Sequence, residues 1–209
     1  MKKLLNIGGG SKSTEQFPEE FGEVEHVMLD IDPMTGADIV CDAKELVNRE
    51  DLKEQFDIVW SSHCLEHFPS HEVGAVISGM HHVLKPDGIV MVMVPDIREA
   101  MRHMLLSGAD IIDIAYEAPN NGNPFPVSYA DMMWGSHFIL RSGNLHYKHH
   151  YGFTGKSLTH IMQCYGFEPL KVVDKEQFQI TYVGMKREEY EKRTEAVRAT
   201  MRLYGVETE

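Results

Sequence analysis

Long apolar runs are missing from this 209-residue chain, and no segment approaches the length needed to cross a bilayer. Met1-Lys2-Lys3 opens a short apolar stretch, but Gly8-Gly9-Gly10 ends it too early for the core of a signal peptide. Cysteine is scarce as well. Cys41, Cys64 and Cys164 make 3, an odd number in apolar or helical surroundings. That pattern excludes a disulfide framework and suits reduced, buried thiols. A cytoplasmic protein with no membrane partner is the expectation. Positive charge is in deficit, with 20 Lys and Arg against 32 Asp and Glu and a net charge of -12. Such a surface repels a phosphate backbone on average, so no nucleic-acid partner is expected. Lys148-His149-His150 is the one basic cluster. No internal repeat is present. The 12 His show no clean paired zinc spacing, although His63, Cys64 and His67 stand close together and His146, His149 and His150 form a second group. They read as pocket lining or surface, and no metal is expected.

What is present is enough apolar material for a packed core: 43% hydrophobic against 25% charged residues. The length suits a single domain spanning 1–209. Leu4-Leu5-Asn6-Ile7-Gly8-Gly9-Gly10 reads as a buried strand running into a glycine turn. Further strands are expected at 24–30, 37–42, 56–61 and 89–94, and the first three of these end in or near polar groups. Segment 11–21 reads as a loop or an irregular helical piece, and 48–55 has helical character. A helix is expected over 71–84, stopped by Lys85-Pro86-Asp87-Gly88, and another over 98–106, closed by Gly108. Aliphatic strands alternating with helices predict a Rossmann-like α/β fold: a doubly wound, mostly parallel seven-stranded sheet with helices on both faces.

From 109 to 151 the pattern changes to loop chemistry, notably at 118–126, with many Tyr, Trp, Phe, Met and His. Segment 97–151 is therefore expected to be an inserted lid for substrate. A helix at 154–164, an antiparallel hairpin from strands at 169–174 and 178–185, and a charged helix within 186–209 complete the chain. Tyr190, Thr194, Val197, Met201 and Tyr204 form a stripe on that last helix. The stripe can pack on its own chain or on a second copy, so a homo-oligomer stays open.

Four stretches in series carry a resemblance. They are Leu5-Asn6-Ile7-Gly8-Gly9-Gly10, Leu29-Asp30-Ile31-Asp32-Pro33, the run from Phe56 through Ser61-Ser62-His63-Cys64-Leu65-Glu66-His67, and Val83-Leu84-Lys85-Pro86-Asp87-Gly88 leading to Val94-Pro95-Asp96. In order and spacing they resemble the class I S-adenosylmethionine-dependent methyltransferases. The resemblance implies S-adenosyl-L-methionine as cofactor and a crevice at the strand tips. By that resemblance Gly8, Gly9 and Gly10 line the turn beneath the cofactor. Asp30 bonds the ribose, with Ile31 beside it and Asp32 as runner-up. Asp42 faces the adenine amino group next to the Ala43 backbone, and Ser61, Ser62 and His63 flank the methionine portion. Asn6 stands where the family usually carries an acid, and Ser11, Lys12 and Ser13 stand where a further glycine is usual.

The expected activity is methyl transfer to a small-molecule acceptor, a sugar or other polar metabolite. The rival reading is a non-catalytic cofactor-binding sensor or assembly module, motivated by Asn6 and the altered glycine pattern. His67, His149 and Asp131 are the candidates for proton removal. Glu66-His67 can serve catalysis, but Leu65-Glu66-His67 reads more readily as a helix start in which His67 caps or packs. Tyr116, Tyr129, Trp134, His137, His146 and Tyr151 divide between substrate contact and packing of the lid.

Overall fold

In the computed structural model, residues 1–10, 12, 17, 21–118, 125–176 and 178–203 are described. The loop expected at 119–124, most of 11–20, the side chains of Val197 and Met201, and Tyr204 lie outside the described residues.

Strands of unbroken aliphatic residues need cover on both faces, and the chain supplies it. β1 (Lys2–Ile7), β2 (Val24–Asp30), β3 (Ile39–Val40) and β4 (Phe56–Ser62) are followed by helix α1 (Ser70–Val83) and β5 (Leu84–Pro95). Next come α2 (Ile97–Ser107), β6 (Ile114–Ala118), β7 (Phe125–Ser128), α3 (Tyr129–Trp134) and α4 (His137–Arg141). α5 (Gly155–Cys164), β8 (Phe167–Glu176), β9 (Gln179–Lys186) and α6 (Arg187–Leu203) finish the chain. The main sheet has the order β3-β2-β1-β4-β5-β9-β8. β1 to β5 pair in parallel, and β9 pairs antiparallel with both β5 and β8. The expected fold class is therefore the observed one. No helix among the described residues is long and apolar enough to cross a membrane.

Alternation along the strands sorts the core. Leu5, Ile7, Val59, Val90, Val92 and Val94 face α1 and α5, where Val73, Ile77, Met80, Leu158 and Met162 are also fully buried. Leu4, Ile58, Trp60, Met91 and Met93 point to the opposite face with Phe17 and Phe21. Each such side chain contributes about 1.5–3 kcal/mol on burial. The chain reverses between β1 and β4 in the sheet order, so the tips of β1, β2 and β4 open a crevice at one edge of the molecule.

Four expected elements differ. The piece at 48–55 is no continuous helix: it takes in the last residue of one 3-10 turn, Ala43–Asn48, and a second, Glu50–Leu52, because Arg49 leaves the helical region (φ -92°, ψ 79°) and splits them. β3 keeps only two paired residues, since Asp42 turns the chain off the edge by accepting the Lys44 N–H. Lys85-Pro86-Asp87-Gly88 ends α1 as expected but lies inside β5, where the register jumps between the Phe56↔Leu84 and Ile58↔Ile89 pairs. The segment after α2 is more regular than its loop chemistry predicts. β6 and β7 form a hairpin, and Ala100, Tyr129 and Met132 form a separate small core beneath it.

Candidate active site

The site begins at a turn that only glycine can make. Gly8 and Gly10 have φ of 69° and 57°, in the left-handed region that strains other residues. A Cβ on Gly8 would overlap the Cys64 sulfur, and one on Gly9 would overlap the Asn6 amide. The Gly8 N–H donates to Leu29 O at 2.8 Å, holding the turn against the end of β2. Asp30, at that end and nearly buried, accepts the Gly10 N–H on Oδ2 at 3.1 Å and the Asp32 N–H on Oδ1 at 2.9 Å. Asp32 is spent differently: it caps a short 3-10 turn through Met34 N.

A cavity of about 510 Å³ opens over this turn, within the range of small-molecule sites. Of the expected cofactor residues, Asn6, Gly8, Gly9, Gly10, Asp30, Ile31, Asp42, Ala43, Ser62 and His63 all line it. Ser61 does not; it is fully buried behind the wall. Ile31 is 45% exposed, an apolar side chain left facing the cavity mouth. Asp42 is partly neutralised by Lys44, which also bonds Glu72 at 2.9 Å. Cys64 sits in the floor, and burial pushes its thiol up to about 12, so it stays protonated and unreactive.

A nucleoside-sulfonium cofactor fits these residues. The Asn6 Oδ1 is buried at the wall with no hydrogen-bond partner among the described residues, an acceptor suited to an ammonium group. Each Asp30 oxygen keeps a lone pair for a ribose hydroxyl beyond the backbone N–H it already accepts. Above Gly10 there is room, the nearest group to an added Cβ being the Tyr147 hydroxyl at 3.7 Å.

The segment after α4 supplies the other side. Leu145, His146, Tyr147 and His150 reach the cavity from it, facing His67 and Phe68 at the end of β4. The anchor is Glu66, whose backbone carbonyl accepts the His150 and Tyr151 N–H groups at 2.7 and 3.2 Å. Its carboxylate is 1% exposed. It accepts from His63 Nδ1 at 3.3 Å, while His63 Nε2 donates to Gln179 Oε1 at 3.0 Å. Burial favours neutral imidazole at His63, but Glu66 and Gln179 outweigh it and raise its pKa above the ordinary value. In Glu66 burial works in the same sense against charge, and His63 overrides it to hold the carboxyl below its usual range. His63 also sits at φ 50°, a conformation rare outside glycine and concentrated at functional sites.

The three expected proton acceptors separate. His67 lines the cavity, with Nδ1–H donating to Lys148 O at 3.2 Å. His149 lies behind it, ring centroids 4.9 Å apart, with Nδ1–H donating to Met132 O at 2.9 Å. Burial lowers the His149 pKa against the opposing pull of Glu66. Asp131 does not reach the cavity, which corrects its assignment. It forms a capping box with Ser128 at the start of α3 and accepts the His137 backbone and Nδ1 N–H groups at 2.8 and 2.7 Å. Burial opposes its charge, and these bonds still hold it below the ordinary carboxylate value. Among the aromatic candidates, His146 lines the cavity; Tyr116, Tyr129, Trp134, His137 and Tyr151 do not. Tyr129 is buried against His103 and Phe178, and Tyr151 packs on Phe153.

No curated protein matches the chain in sequence. Several solved structures share its fold. The 1,6-didemethyltoxoflavin N1-methyltransferase of Burkholderia thailandensis, solved with 1,6-didemethyltoxoflavin and S-adenosylhomocysteine, is 14% identical, with 88% of this chain and 71% of that chain covered and a TM-score of 0.52. An S-adenosylmethionine-dependent methyltransferase from Archaeoglobus fulgidus is 13% identical over 88% of this chain and 86% of its own, again with a TM-score of 0.52. One from Aquifex aeolicus is 9% identical, covering 88% and 82%, with the same TM-score. At these identities the likeness establishes the fold. The family follows from the sequence match, which takes in the glycine turn, the acids at the strand tips and the segment that carries His146 to His150: over residues 1–172 the chain matches the methyltransferase domain family, and it belongs to that family, built on the class I S-adenosylmethionine-dependent fold.

Proposed function

We propose that the chain transfers a methyl group from S-adenosylmethionine to a small polar acceptor, a sugar or another polar metabolite. The observation that carries this reading is one cavity shared by two walls: the strand-tip wall of Asn6, Gly8, Gly10, Asp30 and Asp42, and the lid wall of His146, Tyr147 and His150. The bound cofactor supplies an electrophilic methyl on sulfur. Asp30 holds the ribose hydroxyls, Ile31 covers a face of the adenine, and Asp42 with the Ala43 backbone takes its amino group. Asn6 and Gly8 to Gly10 receive the methionine end, and Ser62 and His63 bound it, with Ser61 supporting them from behind.

The acceptor enters beneath the lid, where imidazole and phenol groups offer hydrogen bonds. The protein's contribution is mainly alignment, since orienting two bound reactants lowers the barrier by about 7–11 kcal/mol in favourable cases. His67 is the group placed to receive a proton. Lys148 O can only accept, so His67 Nδ1 carries the hydrogen and Nε2 keeps a lone pair. His149 backs the His67 ring and positions it.

The test is incubation of the purified protein with methyl-labelled S-adenosylmethionine and fractionated small metabolites. Label should appear in a small acceptor and disappear in Asp30→Ala. Binding of S-adenosylhomocysteine without transfer to any fraction would favour the non-catalytic sensor.

A further inference from the structure

We infer that Glu66, His67 and His149 form a binding site for one divalent transition-metal ion, with zinc as the reference, at the acceptor end of the cavity. The fold assembles it from distant parts of the chain. Glu66 and His67 follow β4, and His149 comes from the lid. One donor atom from each lies within 4.8 Å of the others. Two imidazoles and one carboxylate is a common donor set for a zinc or iron ion with positions left open.

Two independent features point these groups at a ligand. First, Glu66 Oε2 is buried with no hydrogen-bond partner among the described residues, although Oε1 is bonded to His63. A buried carboxylate oxygen left unpaired is costly and calls for a cation or donor. Second, both histidines are oriented through the nitrogen that would not ligate. His67 Nδ1–H donates to Lys148 O and His149 Nδ1–H to Met132 O, both backbone carbonyls. That arrangement fixes the tautomer and frees Nε2, the usual outer-shell support of a metal-binding histidine. The ring centroids are 4.9 Å apart at an interplanar angle of 68°. Two imidazoles bound to one ion at roughly 2.0–2.1 Å in tetrahedral geometry hold their centroids about 5 Å apart.

The cavity side of the ion is open, because His67 lines the cavity and His149 stands behind it. An acceptor hydroxyl or carboxylate reaching that position becomes a ligand, and the ion lowers the hydroxyl pKa in place of a base. A metal ion and a proton compete for the same His67 lone pair, so metal loading decides which role His67 performs. The acceptor class this favours is an oxygen nucleophile. The metal site itself is tested without cofactor or acceptor, so its failure leaves the methyl-transfer reading standing, and the reverse.

The experiment uses the full chain without a polyhistidine tag, stripped of metal and titrated with Zn²⁺ alone by calorimetry. One ion per chain is expected. His67→Ala and His149→Ala should each weaken binding by about 100-fold or more, since even loss of an outer-shell partner costs roughly 10- to 100-fold. The His71→Ala/His160→Ala double variant should retain it. His71 is exposed, and His160 lies 3.8 Å from Cys164, the alternative surface donors. X-ray absorption of the zinc-loaded wild type provides a readout that needs no variant to fold: two imidazoles with oxygen and no sulfur are expected. Absence of binding, loss of binding only in the His71/His160 variant, or a shell with sulfur or fewer than two imidazoles would overturn the site.

Discussion

The Asp30 carboxylate closes the glycine turn of the neighbouring strand, its Oδ2 accepting the Gly10 N–H at 3.1 Å. In the proposed function the same group holds ribose, so turn and ligand would share one charge. Asp30→Asn replaces one acceptor oxygen with a donor that faces a backbone N–H or a hydroxyl. Charge-assisted bonds of this kind contribute about 1.5–3 kcal/mol, so affinity for S-adenosylhomocysteine should fall roughly 10- to 100-fold by calorimetry. Asp32→Asn, at an exposed turn cap, should cost about 0.5 kcal/mol or less. A larger loss at Asp32 than at Asp30 would move the ribose contact to Asp32.

Gly8 has two reasons to be glycine, and they can be separated. Its φ of 69° strains an alanine by roughly 1–2 kcal/mol. The overlap with Cys64 adds about 1–3 kcal/mol of overpacking. In urea unfolding Gly8→Ala should lose both contributions. Adding Cys64→Ala removes the sulfur contact but keeps the Cβ that an added Gly8 Cβ would meet at 2.9 Å, so it should recover only part of the overlap, still giving a favourable coupling between the two changes. A coupling below about 0.5 kcal/mol would mean that the turn, and not the sulfur, gives way.

These two residues also show what the sequence made legible. Gly8 and Asp30 announce themselves locally: aliphatic runs identify the strands, and a glycine turn and an acid end them. The crevice follows from strand order, because parallel strands of this composition must be doubly covered. Glu66, His67 and His149 were not legible as a group. They meet only because the chain after α4 returns to the turn that follows β4, with His150 and Tyr151 bonded to the Glu66 carbonyl. No local pattern encodes a contact across such a separation. Asp131 is the opposite case. Ser128-Tyr129-Ala130-Asp131 carries the spacing of a capping box, yet the surrounding aromatic residues favoured a catalytic reading. The β6–β7 hairpin escaped notice because its second strand is four residues long and contains Pro126.

The acid limb of the stability curve should involve Asp57. Its Oδ1 accepts from Lys85 Nζ and its Oδ2 from the Lys3 N–H, both at 2.8 Å, tying the starts of β4, β5 and β1. The Lys85 ammonium, followed by the Lys3 N–H, holds this carboxyl below the ordinary value of 3.8, against the effect of burial. A folded-state value below the unfolded one means that the contribution is complete above pH 3.8. It is lost as pH falls through the folded value. The stability difference between wild type and Asp57→Asn should be constant near neutrality and shrink below about pH 4. Urea midpoints measured from pH 7 downward check this. A difference that instead grows on acidification would remove Asp57 from the acid limb.

Asp131→Ala distinguishes a structural carboxylate from a catalytic one. The side chain accepts from Ser128 N and Oγ and from both His137 N–H groups, all at the start of α3 and α4. Removing it breaks a capping box, which costs about 0.5–2 kcal/mol, and leaves buried donors at Ser128 without their acceptor. The thermal midpoint should fall while affinity for S-adenosylhomocysteine stays within about 0.5 kcal/mol, because the cavity wall does not include this residue. Asp131→Asn keeps one acceptor oxygen and should lie between alanine and wild type. A variant with unchanged midpoint and intact cofactor affinity but no methyl transfer would return Asp131 to the acceptor site. The geometry predicts the reverse order of effects: stability first, with chemistry impaired only as far as the α3 and α4 segment loosens.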